Sequence, residues 1–267
     1  MSSLKNRSIG VFDSGVGGLT VLKSIRSYLP GENIIYYGDT ARVPYGNKSA
    51  STIRRFAREA MWFLMEKKVK MVVVACNTAS SLAVPYLKKE YAVPVTGVIG
   101  PGISEAVRCS RNKRIGVIGT SSTIASKAYD KELGRVDRSC RIFSGSCPLF
   151  VPLVENRFLS GPIVFQIARD YLKDLKRKKI DTLVLGCTHY PLLKKVISRV
   201  MGDIVLVDSA HAVAKSVKST LVNNDMQASR SVKTSSVKYY VSDDAEGFKK
   251  TASIFLREKI HVKKAVF

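Results

Sequence analysis

Two cysteines in matching local settings are the residues of this sequence best placed to do chemistry. Cys76 follows the apolar run at residues 71–75, and Cys187 follows a similar run at residues 182–185. Each precedes a good N-cap residue, so a helix is expected to begin at each thiol. A helix N-terminus lowers the pKa of a thiol and favours the reactive thiolate, so we expect both cysteines to be functional. The other three are expected to be small buried hydrophobes: Cys109, Cys140 and Cys147.

An acid and a histidine accompany these candidate thiols. Asp13 ends the apolar run at residues 8–12 and precedes a glycine-rich turn at residues 15–18. Its carboxylate is expected to act as a base or to orient a thiol, with a simple helix cap as the alternative. His189 lies two residues after Cys187, which makes it an acid/base candidate. The glycine-rich turn lacks both GK[ST] and G-x-G-x-x-G, but its amides could receive a carboxylate at the helix start.

Two thiols in two similar settings fit two kinds of chemistry. One is a redox pair, although no two cysteines are spaced as CxxC. The other is the removal and return of a proton on opposite faces of one carbon. Inversion of a stereocentre needs a base on one side and an acid on the other.

The elements that must position these residues alternate between strand and helix. The strand candidates are residues 8–12, 33–37, 71–75, 93–98, 114–118, 182–185 and 204–207. Apolar residues spaced by three and four predict a helix over 53–64, and helices are also expected over 79–90 and 163–175. This alternation is typical of parallel sheets covered on both faces, where ligands bind outside the carboxyl ends of the strands. The predicted fold class is therefore α/β.

Two halves of the chain resemble each other, which indicates a duplication. Ile9-Gly10-Val11-Phe12-Asp13-Ser14 resembles Ile115-Gly116-Val117-Ile118-Gly119-Thr120 at an offset of 106 residues. The segments that contain Cys76 and Cys187 repeat at an offset of 111. The cluster Gly100-Pro101-Gly102 marks the expected boundary between the halves, because Gly and Pro interrupt regular structure.

The composition is that of a globular protein with a large excess of positive charge. The 267 residues include 44 Lys and Arg and 21 Asp and Glu, which gives a formal net charge of +23. Hydrophobic residues make up 45%, which excludes a wholly disordered chain, and no apolar run is long enough for a membrane helix. An odd number of cysteines, five, and only three histidines predict a reducing cytoplasmic location without disulfides or a metal site. The charge indicates a polyanionic partner or only a solvated surface.

Five segments form a recognisable set. They are FDSGVGGLT at 12–20, YGDTARVPYG at 37–46, ACNTAS at 75–80, PLVE at 152–155 and GCTHYP at 186–191. Together they resemble the cofactor-independent aspartate/glutamate racemase family, and within it the glutamate racemases. The resemblance implies two pseudo-symmetric flavodoxin-like lobes with parallel sheets and the active site in the cleft between them. Residues 1–98 plus 209–267 would form the first lobe, and residues 99–208 the second.

The resemblance also implies the reaction, which is the interconversion of L- and D-glutamate without a cofactor or a metal. Cys76 would take the α-proton of D-glutamate with the help of Asp13, and Cys187 would protonate the other face with the help of His189. The implied substrate-binding residues are Ser14, Pro44, Tyr45, Gly46, Asn77, Thr78, Thr120, Thr123, Glu155 and Thr188. The D-glutamate would supply peptidoglycan synthesis in a bacterial cytoplasm.

The expected partners are glutamate and a second copy of the chain, with no membrane. Three alternatives stay open. A racemase of the same superfamily could act on aspartate or a hydantoin, which a panel of substrates would test. The charge could reflect contact with nucleic acid, although no zinc-finger, RNP or helix-turn-helix motif supports it, and contact with gyrase is implied only by the resemblance to glutamate racemases. A thiol oxidoreductase is disfavoured by the lack of CxxC.

Overall fold

A computed structural model describes residues 4–228 and 235–266 of the chain. Residues 229–234 and 267, which belong to the predicted return segment 209–267, lie outside the described residues. The strands are β1 Ile9–Asp13, β2 Ile34–Gly38, β3 Met71–Val74, β4 Val95–Gly97, β5 Arg114–Gly119, β6 Arg141–Ser146, β7 Thr182–Gly186, β8 Val205–Val207, β9 Val237–Val241 and β10 Val262–Lys264. The helices are α1 Leu19–Tyr28, α2 Ala50–Glu66, α3 Asn77–Leu82, α4 Val84–Glu90, α5 Ile99–Cys109, α6 Ser121–Ala125, α7 Ala128–Val136, α8 Phe150–Glu155, α9 Pro162–Arg177, α10 Lys194–Met201, α11 Ala210–Asn223 and α12 Ala245–Leu256.

The strands form two sheets in which all neighbouring strands are parallel. The first sheet has the order β10-β9-β2-β1-β3-β4, and the second has the order β6-β5-β7-β8. The central strands are buried along their whole length, as in sheets covered by helices on both faces. The predicted α/β class with parallel sheets is confirmed.

The second sheet repeats the order of the first four strands in the first sheet. In both sheets the order is second, first, third and fourth strand of the repeat. Ile9 pairs with Met71 in the first sheet, and Ile115 pairs with Thr182 in the second. The sequence offsets of 106 and 111 residues therefore connect equivalent positions of two pseudo-symmetric lobes.

The chain returns to the first sheet near its end. Strand β9 pairs with β2, and β10 pairs with β9, so the C-terminal strands extend the sheet that the first four strands begin. The division into residues 1–98 plus 209–267 and residues 99–208 remains our proposal for the lobe boundaries. Strands β6, β9 and β10 had not been predicted from the sequence.

The helix expected over residues 79–90 needs correction. The single helix expected over 79–90 is two helices, α3 and α4, which divide at Ala83. Pro85 explains the division, because proline cannot continue a helix but suits a first helical turn. Gly100-Pro101-Gly102, the expected boundary between the halves, lies in the first turn of α5, where a proline is tolerated, and the boundary stays a prediction.

A continuous hydrophobic core joins the two lobes. It contains residues of β1 and β5 together with Ile103 of α5 and Val213 of α11. Two further clusters fill the outer faces, one against the first sheet and one against the second. None of the helices in the described ranges is long and apolar enough to cross a membrane.

Candidate functional site

One cleft between the lobes collects most of the predicted site residues. It lies at the carboxyl ends of β1, β3, β5 and β7, the edge where parallel sheets bind ligands. Its lining residues are Ser14, Val43, Pro44, Tyr45, Gly46, Cys76, Asn77, Thr78, Thr120, Val151, Cys187, Thr188 and His189. Three other predicted residues contact this lining from behind: Asp13, Thr123 and Glu155.

Asp13 is a fully buried carboxylate at the end of β1. Its Oδ2 accepts a hydrogen bond of 3.0 Å from the Gly15 amide, and its Oδ1 accepts one of 3.4 Å from the Thr188 hydroxyl of the second lobe. The glycine-rich turn thus receives the carboxylate of the protein's own Asp13. A Cβ at Gly18 would lie 2.5 Å from the Asp13 Cβ, so the turn needs glycine there. Burial raises the pKa of Asp13, and positive charge on His189 opposes the shift.

Cys76 lies directly before α3, at its N-cap position, and only 5% of it is exposed. The prediction of a lowered pKa is wrong for this thiol. Burial raises the pKa of Cys76 to about 12, and the negative charge of Asp13 acts in the same direction. Hydrogen bonds from the Ala79 amide and the Ser14 hydroxyl favour the thiolate but do not outweigh burial.

Cys187 belongs to a chain of three polar side chains in the second lobe. Its Sγ lies 3.8 Å from Nδ1 of His189, and Nε2 of His189 lies 2.6 Å from Oε1 of Glu155, the last residue of α8. Burial lowers the pKa of His189, but the hydrogen bonds to Cys187 and Glu155 outweigh it and raise this pKa to about 10. An imidazolium therefore lies beside Cys187 at neutral pH. The helix expected to begin at Cys187 is wrong, since a 3₁₀ turn at Tyr190–Leu193 intervenes before α10.

Hydroxyl groups of both lobes meet at one side of the cleft. The Oγ1 atom of Thr78, from the first lobe, lies 2.9 Å from that of Thr120 and 3.1 Å from that of Thr123 in the second. Thr120 and Thr123 are themselves 2.9 Å apart. Such a cluster of exchangeable donors and acceptors can rearrange to bind a carboxylate.

The turn that contains Pro44, Tyr45 and Gly46 closes the same side of the cleft. The Tyr45 hydroxyl and the Arg42 guanidinium both donate to Oδ2 of the buried Asp39, which fixes the turn from within the first lobe. The Gly46 carbonyl accepts a hydrogen bond of 2.9 Å from the Ser122 hydroxyl of the second lobe. The turn is therefore bonded on both sides.

Three residues of the cleft region were missed by sequence reasoning. Val43 and Val151 line the cleft, and Tyr129 lies behind Asn77. The two valines carry no chemical signal, although Val43 adjoins the Pro44-Tyr45-Gly46 segment. Only the fold brings Tyr129 to the site.

The cleft offers two thiols with different partners and a neutral, hydrogen-bonding lining. Cys76 is accompanied by a carboxylate, and Cys187 by an imidazole–carboxylate pair. No lysine or arginine is among the lining residues named above. In the part of the chain that the structure describes, no group of three or more His, Cys, Asp or Glu side chains is arranged to hold a metal ion.

Comparison with known proteins identifies the family. Residues 9–217 match the family Asp/Glu/Hydantoin racemase. The chain is 46% identical over 255 residues to the glutamate racemase of Aquifex aeolicus, with 96% of each chain covered. It superposes on a glutamate racemase isoform of Bacillus anthracis with a TM-score of 0.93 and 37% identity over 98% of both chains. For the glutamate racemase of Francisella tularensis in complex with D-glutamate, the TM-score is 0.91 at 38% identity and the same coverage. The chain therefore belongs to the Asp/Glu/Hydantoin racemase family, and these relatives within it are glutamate racemases.

Proposed function

We propose that this racemase interconverts L- and D-glutamate by moving the Cα proton between two thiols, Cys76 and Cys187. The observation that carries the proposal is that both thiols enter one cleft from equivalent positions, after β3 in one lobe and after β7 in the other. A proton that leaves one face of a carbon and returns to the opposite face needs such an arrangement. The names of the relatives and the complex with D-glutamate support glutamate as the substrate.

Racemisation of D-glutamate takes two proton transfers. The Cys76 thiolate removes the Cα proton, so that a C–H bond breaks, an S–H bond forms and the electron pair stays on the substrate. The Cys187 thiol then donates its proton to the opposite face and becomes a thiolate. The L-to-D reaction exchanges the two roles, and proton exchange with water resets the thiols.

Asp13 provides a base for Cys76, and His189 provides a proton donor for Cys187. The raised pKa of Cys76 requires a base that takes its proton, and Asp13, whose own pKa is raised by burial, is a stronger base than an exposed carboxylate. His189, with its pKa raised to about 10, is a proton donor and a counter-ion beside Cys187. Glu155 holds the imidazole in place through its hydrogen bond to Nε2.

Neutral donors are assigned to hold the substrate. The turn at Pro44, Tyr45 and Gly46 provides backbone groups, and the remaining assigned residues provide hydroxyls and an amide: Ser14, Asn77, Thr78, Thr120, Thr123 and Thr188. Hydroxyl and amide groups orient two carboxylates without adding fixed charge beside the thiols. The proton transfers themselves use the side chains of the protein.

We also infer that the D-glutamate supplies peptidoglycan synthesis in a bacterial cytoplasm. All five cysteines are free thiols, which fits a reducing compartment. The homodimer stays a prediction, which sedimentation analysis would test. Contact with nucleic acid stays one too, and a DNA gel shift at low salt would test it.

Isotope exchange with single cysteine variants tests the mechanism. In D2O, the wild type should place deuterium at Cα of the product from either enantiomer. Cys76→Ser and Cys187→Ser should each lose racemisation by a factor of roughly 10³ or more, because one face has no acid or base. Cys187→Ser keeps Cys76 and should still exchange the Cα proton of D-glutamate, whereas Cys76→Ser should exchange that of L-glutamate.

Cys109→Ser is the matched control, because Cys109 does not line the cleft and should be dispensable. Unlabelled product from the wild type, or full racemisation by either cleft variant, would contradict the two-thiol mechanism. Racemisation of aspartate but not glutamate would not contradict the two-thiol mechanism, but it would show that the substrate is aspartate.

A further inference from the structure

Tyr129 is a buried tyrosine of the second lobe that reaches the first lobe beside the cleft. It is the second residue of α7, and only 2% of it is exposed. Its hydroxyl accepts a hydrogen bond of 2.9 Å from Nδ2 of Asn77, which is itself buried and directly follows Cys76. This hydrogen bond crosses the boundary between the lobes.

The same phenol lies against the backbone that leads into Cys187. A Cβ built at Gly186, the residue before Cys187, would lie 3.1 Å from the Tyr129 hydroxyl oxygen and 3.3 Å from Cε2 of its ring. The absence of a side chain at Gly186 therefore makes room for Tyr129. One phenol thus contacts the residue after one thiol and the residue before the other.

The hydrogen bond also fixes the amide of Asn77. Because Nδ2 donates to Tyr129, the carbonyl oxygen Oδ1 is left as the acceptor of this cleft residue. An acceptor in the cleft suits an ammonium group, which is the only donor group of an amino-acid substrate with ionised carboxylates. Burial raises the pKa of Tyr129, so the hydroxyl stays protonated and is unsuited to act as a base at neutral pH.

We infer that Tyr129 is a positioning residue that acts through Asn77: it orients the Asn77 amide toward the substrate ammonium and sets the spacing of the two cysteine segments. The inference rests on the proposed function, since it assumes an amino acid in the cleft. Tyr129 takes no part in proton transfer. Its loss should weaken substrate binding more than it slows the chemical step.

The test is a double-mutant cycle of Tyr129→Phe and Asn77→Ala. Tyr129→Phe keeps the ring against Gly186 and removes only the oxygen that bonds Asn77. We expect the KM for both enantiomers to rise about tenfold, the size of one misplaced hydrogen bond, with kcat changed by less than about threefold. In the Asn77→Ala background, Tyr129→Phe should have little further effect on KM, because residues that act through each other are not additive.

Two controls separate positioning from a merely structural role. Tyr239→Phe removes another buried phenol oxygen, in β9 and outside the cleft lining, and should leave both kinetic constants unchanged. Thermal unfolding of each variant reports any loss of folded protein. Because two enantiomers have equal free energies in water, kcat/KM must change by the same factor in both directions for every variant.

Two results would overturn the inference. One is a KM in Tyr129→Phe equal to that of the wild type. The other is a rise in KM by the same factor in the wild-type and the Asn77→Ala backgrounds, since the effect then does not pass through Asn77. Neither result would contradict the two-thiol proposal, which is tested separately by the isotope exchange of the cysteine variants.

Discussion

At Asp13, the requirements of stability and of function oppose each other. Burial raises the pKa of this carboxyl, so the folded protein holds the proton more tightly than the unfolded chain does. Such a group stabilises the folded protein fully at pH values below its pKa in the unfolded chain, which is near 4. This stabilisation is lost as the pH rises through the pKa of the group in the folded protein. At neutral pH the buried charge therefore lowers the free energy of unfolding.

Asp13→Asn is expected to stabilise the protein and to impair racemisation. The amide oxygen can still accept from Gly15, and its nitrogen can donate to Thr188. We expect the free energy of unfolding at pH 7 to rise by about 1 kcal/mol and the racemisation rate to fall by roughly 10²- to 10⁴-fold. Denaturant titrations between about pH 4 and pH 7 measure the first effect, which should shrink toward acidic pH. A variant less stable than the wild type at pH 7 would contradict this account of Asp13.

That both thiols lie in one cleft could be predicted from sequence, but the raised pKa of Cys76 could not. Both cysteines follow apolar strands at the carboxyl edge of a sheet, a pattern visible in the residues alone. A helix N-terminus contributes about 0.3–1 kcal/mol, less than one pKa unit, whereas burial can shift a pKa by about 3–5 units. How deeply Cys76 is buried depends on residues far away in the sequence, so the larger effect was the unpredictable one.

The turn at Gly46 depends on a close approach of two elements from different lobes. A Cβ at Gly46 would lie 2.6 Å from the Thr120 Cβ, which is shorter than any van der Waals contact. Gly46→Ala must therefore separate the turn from the start of α6. We expect kcat/KM for glutamate to fall by roughly 10- to 100-fold, because the groups on both sides of the cleft move apart.

Gly134→Ala in α7 is the matched control for this change. Its Cβ would meet no atom within 4 Å, and alanine is the better helix former. It should leave racemisation unchanged and raise thermal stability slightly. A Gly46→Ala enzyme with wild-type kcat/KM would show that the contact is not required for activity.

Most central strands were predictable because they are apolar on both faces, whereas the edge strands β6 and β10 were not. Strand β6 is only half-buried and reads Arg-Ile-Phe-Ser-Gly-Ser, and β10 is largely exposed with two lysines. Polar residues on edge strands prevent pairing with other chains and weaken the strand signal in the sequence. Tyr129 was missed for a related reason, because no local pattern indicates which helix will reach Asn77.

The net charge of the whole molecule exceeds what the cleft requires. The lining of the cleft contains no lysine or arginine, so the excess of 44 basic over 21 acidic residues belongs to other parts of the chain. Long-range attraction of an anion by such a charge is screened over about 10 Å at ordinary ionic strength. We therefore expect the charge to affect the encounter with glutamate and not the chemical step.

Salt should consequently have a small and selective effect. We expect kcat/KM for either enantiomer to fall by less than about threefold between roughly 20 and 200 mM KCl, with kcat unchanged. Initial rates at low and saturating glutamate concentration measure the two constants separately. A fall in kcat of the same size would mean that salt alters the cleft itself.

The return of the chain to its first sheet leaves two covalent passages between the lobes. One leads into α5 and the other into α11, and both helices belong to the hydrophobic core that the lobes share. Two connections restrain the lobes more than a single one would, because a rotation about one linker would strain the other, and the shared core adds to this restraint.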